Sequence, residues 1–175
     1  MIFMAELLKT YSCGVMRTKY GYMGAARSPF GLYAVFLPTP RLEDIESILK
    51  RRFSAGLTWD DTSFGSLEQK FKRYFLGEEV RFDELLDLSD LTAFEKRVFS
   101  AVSAIPRNEV RSYDWVATSI GEPSATRAVG RALSRNRLPI IIPCHRVVHK
   151  DGDIGGFAWG AEMKRLLLGI EGRAW

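Results

Sequence analysis

Thiol and imidazole are scarce in this chain: 175 residues hold two cysteines, Cys13 and Cys144, and two histidines. So few and so distant cysteines exclude a disulfide framework, and the expectation is a reducing, cytoplasmic setting. No CxxC pair exists. His145 and His149 stand four residues apart, but His149 falls in a segment that reads as a turn, so no metal site is expected. Long apolar runs are missing as well. The best candidate, around residues 30–40, is broken by Gly31, Pro38 and Pro40, far short of the ~18 residues that a membrane helix needs. The start, Met1 to Leu8, has no basic region and carries Glu6, so it does not read as a signal peptide. Gly152 to Gly156 lacks the spacing and the Lys-Ser/Thr of a phosphate-cradling loop. No cofactor and no membrane partner are expected.

What is present fits an ordinary globular protein, 46% hydrophobic and 26% charged, long enough for one medium domain or two small ones. The net charge of +4 is unevenly spread. Residues 1–91 hold twelve Lys/Arg against thirteen Asp/Glu, whereas residues 92–175 hold thirteen against eight. An acidic partner is therefore expected on the second half.

Pattern divides the chain in the same way. Lys9 to Lys19, Tyr20 to Ala26 and Gly31 to Leu37 read as strands of a small antiparallel sheet. Leu42 to Phe53 and Ser66 to Leu76 keep helical apolar spacing. The acidic stretch Glu78 to Asp90 reads as a join, and Thr92-Ala-Phe-Glu95 after it is a capping box opening a third helix that Pro106 ends. The expectation is α+β, with domains at 1–90 and 91–175.

Within the second domain, Ser112 to Ile120 and a helix capped by Ser124 and running to about Arg135 form a helix-turn-helix pattern around Gly121-Glu122-Pro123. Arg127, Arg131 and Arg135 repeat every fourth residue on the second of these helices, with no acid in residues 124–137. Solvated faces usually mix signs; a one-sign row on this helix points to nucleic acid.

Leu138 to Pro143 reads as a short buried strand delivering Cys144-His145-Arg146 to a cleft. A lone cysteine is usually a small buried hydrophobe, and Cys13 takes that reading. Cys144 differs because His145 and Arg146 adjoin it, and positive neighbours favour the reactive thiolate. On a regular strand, however, adjacent side chains face opposite ways. Either the chain turns here or a water bridges sulfur and imidazole. A carboxylate must also orient His145, and Glu171 is a candidate.

Pro143-Cys144-His145-Arg146-Val147 resembles the active-site motif of the O6-alkylguanine-DNA alkyltransferases, the methylated-DNA–protein-cysteine methyltransferases. Ser112-Tyr113, Arg127-Ala-Val-Gly130, Asn136, Pro139, the Gly-rich loop and Leu166-Leu-Leu-x-x-Glu171-Gly172 occur in family order. The match covers about residues 92–172.

The resemblance implies a ribonuclease H-like first domain and a winged helix-turn-helix second domain. It implies a monomer that binds double-stranded DNA holding O6-alkylguanine, flips the lesion out and takes the alkyl group onto Cys144, once. His145 would be the base through a water, Glu171 its orienter, and Asn136 a brace behind the sulfur. Tyr113 would help rotate the nucleotide and Arg127 would fill the vacated stack, with Arg131 and Arg135 adding DNA contacts. Backbone groups of Cys144 and Val147 would read the guanine edge, Phe157 would line the pocket, and the amide of Ala158 would face the oxygen that loses its alkyl group.

The chain departs from the family pattern at four places. Arg131 and Trp159 replace typical glycines, Phe157 replaces a common Tyr, and Arg137 replaces a usual Pro, which should loosen the turn before the catalytic strand. Three rivals are a lesion-binding relative without transfer, a winged-helix regulator and a cysteine hydrolase. The first lacks the acceptor cysteine, the second needs a dimer surface, and the third would not need the arginine row.

Overall fold

Three short strands build the first part of the chain, one of them burying Met23 to Ala26 in a row. In the computed structural model, which describes residues 10–174, Tyr11–Thr18 (β1), Gly21–Ser28 (β2) and Gly31–Thr39 (β3) pair antiparallel. The reading of Met1 to Leu8 lies outside the described residues. Leu57–Trp59 (β4) adds a strand parallel to β1, giving the order β3-β2-β1-β4. Three residues are too few to show alternation, so β4 is visible only through its pairing.

Leu42–Arg52 (α1) buries Ile45 and Leu49 with Cys13, Ala26, Ala34 and Phe53. Gly24 permits this approach, because a Cβ there would stand 3.2 Å from Leu49. Gly65–Phe75 (α2) buries Leu67, Phe71, Tyr74 and Phe75. The acidic stretch is irregular but anchored: Leu86 bridges Leu32, and the buried Asp87 accepts from the Ser28 hydroxyl at 2.5 Å. The chain divides into two compact units between Asp87 and Leu88.

The second unit opens on Ala93–Ser103 (α3), whose capping box is formed in full: Thr92 Oγ1 accepts from the Glu95 amide and Glu95 accepts from the Thr92 amide. Val98, Phe99 and Val102 are buried and Phe94 is half-buried. Arg111–Ser112 (β5) leads into Tyr113–Ser119 (α4), capped by Ser112 Oγ, and Thr126–Ser134 (α5) follows. Ser124 does not cap α5. Ala125 holds that position without a side-chain bond, and Thr126 instead donates to Asp114 at 2.8 Å, joining the first turns of the two helices.

The expected strand at 138–143 is replaced by turns. Pro139 and Pro143 bring no N–H to a ladder. Ile142 N donates to Leu138 O at 2.8 Å, Ile140 sits at φ +71°, and Asn136 holds Ile142 O and Leu138 N. Cys144–Arg146 then forms a 3₁₀ turn before Val147–Val148 (β6), which pairs parallel with β5. Ala161–Ile170 (α6) closes the described chain.

Candidate active site

The β5–β6 pair brings the start of α4 beside the segment that follows Cys144, and α6 contributes from its buried face. Asn136 organises the turn behind the sulfur. Its Nδ2 donates to Ile142 O at 2.8 Å and to Cys144 Sγ at 3.0 Å, while its Oδ1 accepts from Leu138 N at 2.9 Å. Asn136 is itself buried, so these bonds face no competition from water.

His145 and Glu171 are brought together as the sequence suggested. His145 Nε2 and Glu171 Oε1 lie 2.8 Å apart, both buried. Burial opposes ionisation of Glu171, but hydrogen bonds from His145 and Arg146 overcome it and hold the carboxyl at about 2. Burial pushes His145 down, against the pull of Glu171. With Nε2 donating to the carboxylate, Nδ1 is the acceptor nitrogen; it is buried and bonds to no protein atom. The chain thus turns at Cys144, as one of the two alternatives required, and leaves His145 a lone pair that a water can meet.

One electrostatic expectation is corrected. Arg146 does not face the sulfur. Its Nε and Nη2 reach Glu171 at 2.9 Å each, and Nη1 reaches Ile105 O at 2.7 Å. Burial raises the Cys144 thiol to about 11, opposed by the Asn136 hydrogen bond and by the charge of Lys164. Lys164 was not legible as a site residue from motif alone. Helical spacing carried the signal, since Lys164 shares a face with Leu167 and Leu168, all buried.

Tyr113 is half-buried, its hydroxyl 3.5 Å from Gly156 O and its ring 5.2 Å from that of His149. Burial raises its phenol, with Cys144 adding to the effect. Gly155 holds φ +73°, and a Cβ there would stand 3.1 Å from His149 and 3.3 Å from the Tyr113 hydroxyl. Phe157 packs on Trp159 at 5.3 Å, and Ala158 between them is exposed. Val147 is buried, its carbonyl accepting from Lys164 at 2.6 Å.

The arginine row is less uniform than its spacing implied. All three arginines are exposed. Arg135 reaches Glu95 at 3.4 Å, whereas Arg127 and Arg131 have no acidic partner among the described residues. Arg137 is largely buried and paired with Asp90.

A thiol held by an amide beside a buried His–Glu pair is the site of a cysteine-nucleophile protein. Residues 93–173 match the family model described as 6-O-methylguanine DNA methyltransferase, DNA binding domain. A methylated-DNA–protein-cysteine methyltransferase of Mycolicibacterium paratuberculosis is 35% identical over 148 residues, 83% of this chain and 89% of that protein. The crystal structure of Mycobacterium tuberculosis OGT in complex with DNA superposes with a TM-score of 0.76 at 33% identity, covering 93% of this chain and 94% of that one. The O6-methylguanine-DNA methyltransferase of Pyrococcus kodakaraensis superposes at 0.66 and 28% identity, covering 93% and 99%. The chain belongs to the methylated-DNA–protein-cysteine methyltransferase family.

Proposed function

We propose that this protein repairs O6-alkylguanine in duplex DNA by moving the alkyl group onto its own Cys144, once per molecule. The observation that carries the reading is the set of bonds around the sulfur. Asn136 Nδ2 stands 3.0 Å from Sγ, and the adjoining His145 is locked to Glu171 with Nδ1 left as a buried acceptor. The thiol proton passes through a water to Nδ1, and Glu171 stabilises the imidazolium that results. The thiolate attacks the alkyl carbon in line. The S–C bond forms as the C–O bond breaks, the electron pair leaves with O6, and His145 returns a proton to the guanine. The thioether product has no easy hydrolysis route, so the protein is consumed.

Tyr113 turns the lesion out of the stack and Arg127, at the first turn of α5, replaces it. Arg131 and Arg135 contact the backbone. Val147 and the backbone of Cys144 read the guanine edge, while Phe157 and the Ala158 amide border O6. Residues 1–90 serve as a ribonuclease H-like scaffold and residues 91–175 as a winged helix-turn-helix domain for DNA binding and catalysis. The α4–α5 pair and the family match over 93–173 support the second assignment. The protein works as a cytoplasmic monomer. No helix among the described residues is long and apolar enough to cross a membrane.

The test is the intact mass after mixing with duplex DNA holding one O6-methylguanine, followed by peptide mapping. One methyl group on Cys144 and no more is expected, and Cys144→Ala should bind DNA without gaining mass. Catalytic release of the methyl group, or a methyl elsewhere, overturns the proposal.

A further inference from the structure

His149 has no part in the chemistry proposed above, yet it stands against a residue that does. Its ring lies 5.2 Å from that of Tyr113, tilted by 44°. At that separation two rings attract beyond the area they bury. Among the described residues it is the one ring contact that Tyr113 makes.

Tyr113 has little else to orient it. Its hydroxyl meets Gly156 O at 3.5 Å, at the long limit of a hydrogen bond. Gly130 of α5 brings no side chain to the ring, and even a Cβ there would stand 4.0 Å away. A tyrosine that turns a nucleotide has to be aimed before the DNA arrives. A ring free to change rotamer spends part of its time pointing elsewhere.

His149 is itself fixed from behind. Its N–H donates to Asp153 O at 2.9 Å, and its carbonyl accepts from Gly152 N at 3.2 Å. Asp153 Oδ1 accepts from Gly155 N at 2.8 Å, which closes the loop on itself. At Gly155, φ +73° brings the backbone against both side chains. A Cβ there would stand 3.1 Å from His149 Cδ2 and 3.3 Å from the Tyr113 hydroxyl.

We propose that His149 is a positioning residue for turning the lesion out: presented by the closed loop after β6, its imidazole props the Tyr113 ring in the orientation that meets the nucleotide. The inference rests on the reading of Tyr113 as the residue that rotates the lesion. His149 moves no proton and touches no reacting atom; it acts through the tyrosine. The competing arrangement is a direct contact between the exposed imidazole and a DNA phosphate. That arrangement weakens binding to any duplex, damaged or not.

The experiment measures single-turnover methyl transfer by wild type, His149→Ala, His149→Phe, Tyr113→Ala and the double variant His149→Ala/Tyr113→Ala. The substrates are duplex DNA holding one O6-methylguanine and the free O6-methylguanine base. His149→Ala should slow the duplex reaction about three- to tenfold, the worth of one ring contact, and leave the free-base reaction unchanged. His149→Phe keeps a ring against Tyr113 and should recover most of the loss. Tyr113→Ala should slow the duplex reaction more than His149→Ala does, and removing His149 as well should add nothing. Affinity for undamaged duplex, read by fluorescence anisotropy, should be the same in wild type and His149→Ala.

Equal slowing on both substrates, no recovery in His149→Phe, or independent effects of the two alanine substitutions overturns the inference. Independent effects together with weaker binding of undamaged duplex assign His149 to the DNA backbone instead. If Tyr113→Ala slows duplex transfer and His149→Ala does not, only the role of His149 is lost. If Tyr113→Ala leaves duplex transfer unchanged, the reading of Tyr113 has failed and the role of His149 falls with it.

Discussion

Asn136 donates to the sulfur of Cys144 at 3.0 Å with the same amide nitrogen that holds Ile142 O at 2.8 Å. One side chain therefore shapes the turn and holds the Cys144 sulfur. Asn136→Ala should orphan the buried amide of Leu138 and leave Ile142 O only the Cys144 N–H it accepts from at 2.8 Å, costing about 1–3 kcal/mol. Urea denaturation checks that loss. Single-turnover transfer should also slow, because the thiolate loses its only side-chain donor among the described residues.

Acid should weaken the second unit through Glu171 and His145. Glu171 sits at about 2 in the fold against an ordinary 4.5, so the unfolded chain binds the proton first as pH falls. Its contribution, roughly 3 kcal/mol at most, is present above pH 4.5 and is lost between there and pH 2. His145, also lowered in the fold, acts in the same direction, with its loss starting as pH drops below 6.5. Denaturation curves from pH 7 to pH 3 should show this decline, and Glu171→Gln should flatten the part below pH 4.5.

Salt dependence should separate the three arginines. Arg127 and Arg131 are exposed without acidic partners, while Arg135 shares its charge with Glu95 at 3.4 Å. Arg131→Ala should reduce the slope of log K for DNA against log salt by about one. Arg135→Ala should change it less. Equal slopes for the two variants would show that the Glu95 pair does not survive on DNA.

Gly155→Ala should damage the loop beside Tyr113. At φ +73°, with a Cβ only 3.1 Å from the His149 ring, the new methyl group is both strained and crowded. The backbone cost alone is about 1–2 kcal/mol. Repair in duplex should slow more than reaction with free O6-alkylguanine base if the shift is passed to Tyr113. Kinetics on the two substrates decide it.

Much of the site was legible because it follows chain-local rules. The capping box at Thr92 needs only neighbouring residues, and it formed. The pairing of His145 with Glu171 was also readable, since a buried imidazole acting as base needs a carboxylate. Ser124 misled as a cap because the helix starts at Thr126, which leaves Ala125 in the cap position. The segment 138–143 misled because a short apolar run bounded by prolines looks like a strand until one asks where its hydrogen bonds go.

The sequence by itself determined the Pro-Cys-His-Arg motif, the basic helix and the strand-helix order of the first half. Each is written in residue type, spacing or period, which no fold is needed to read. The tertiary structure alone decided where the charges point. Arg146, next to the cysteine in sequence, turns to Glu171, while Lys164, twenty residues away, is the cation whose field reaches the sulfur. Electrostatic energy depends on separation and burial in space, and adjacency along the chain fixes neither.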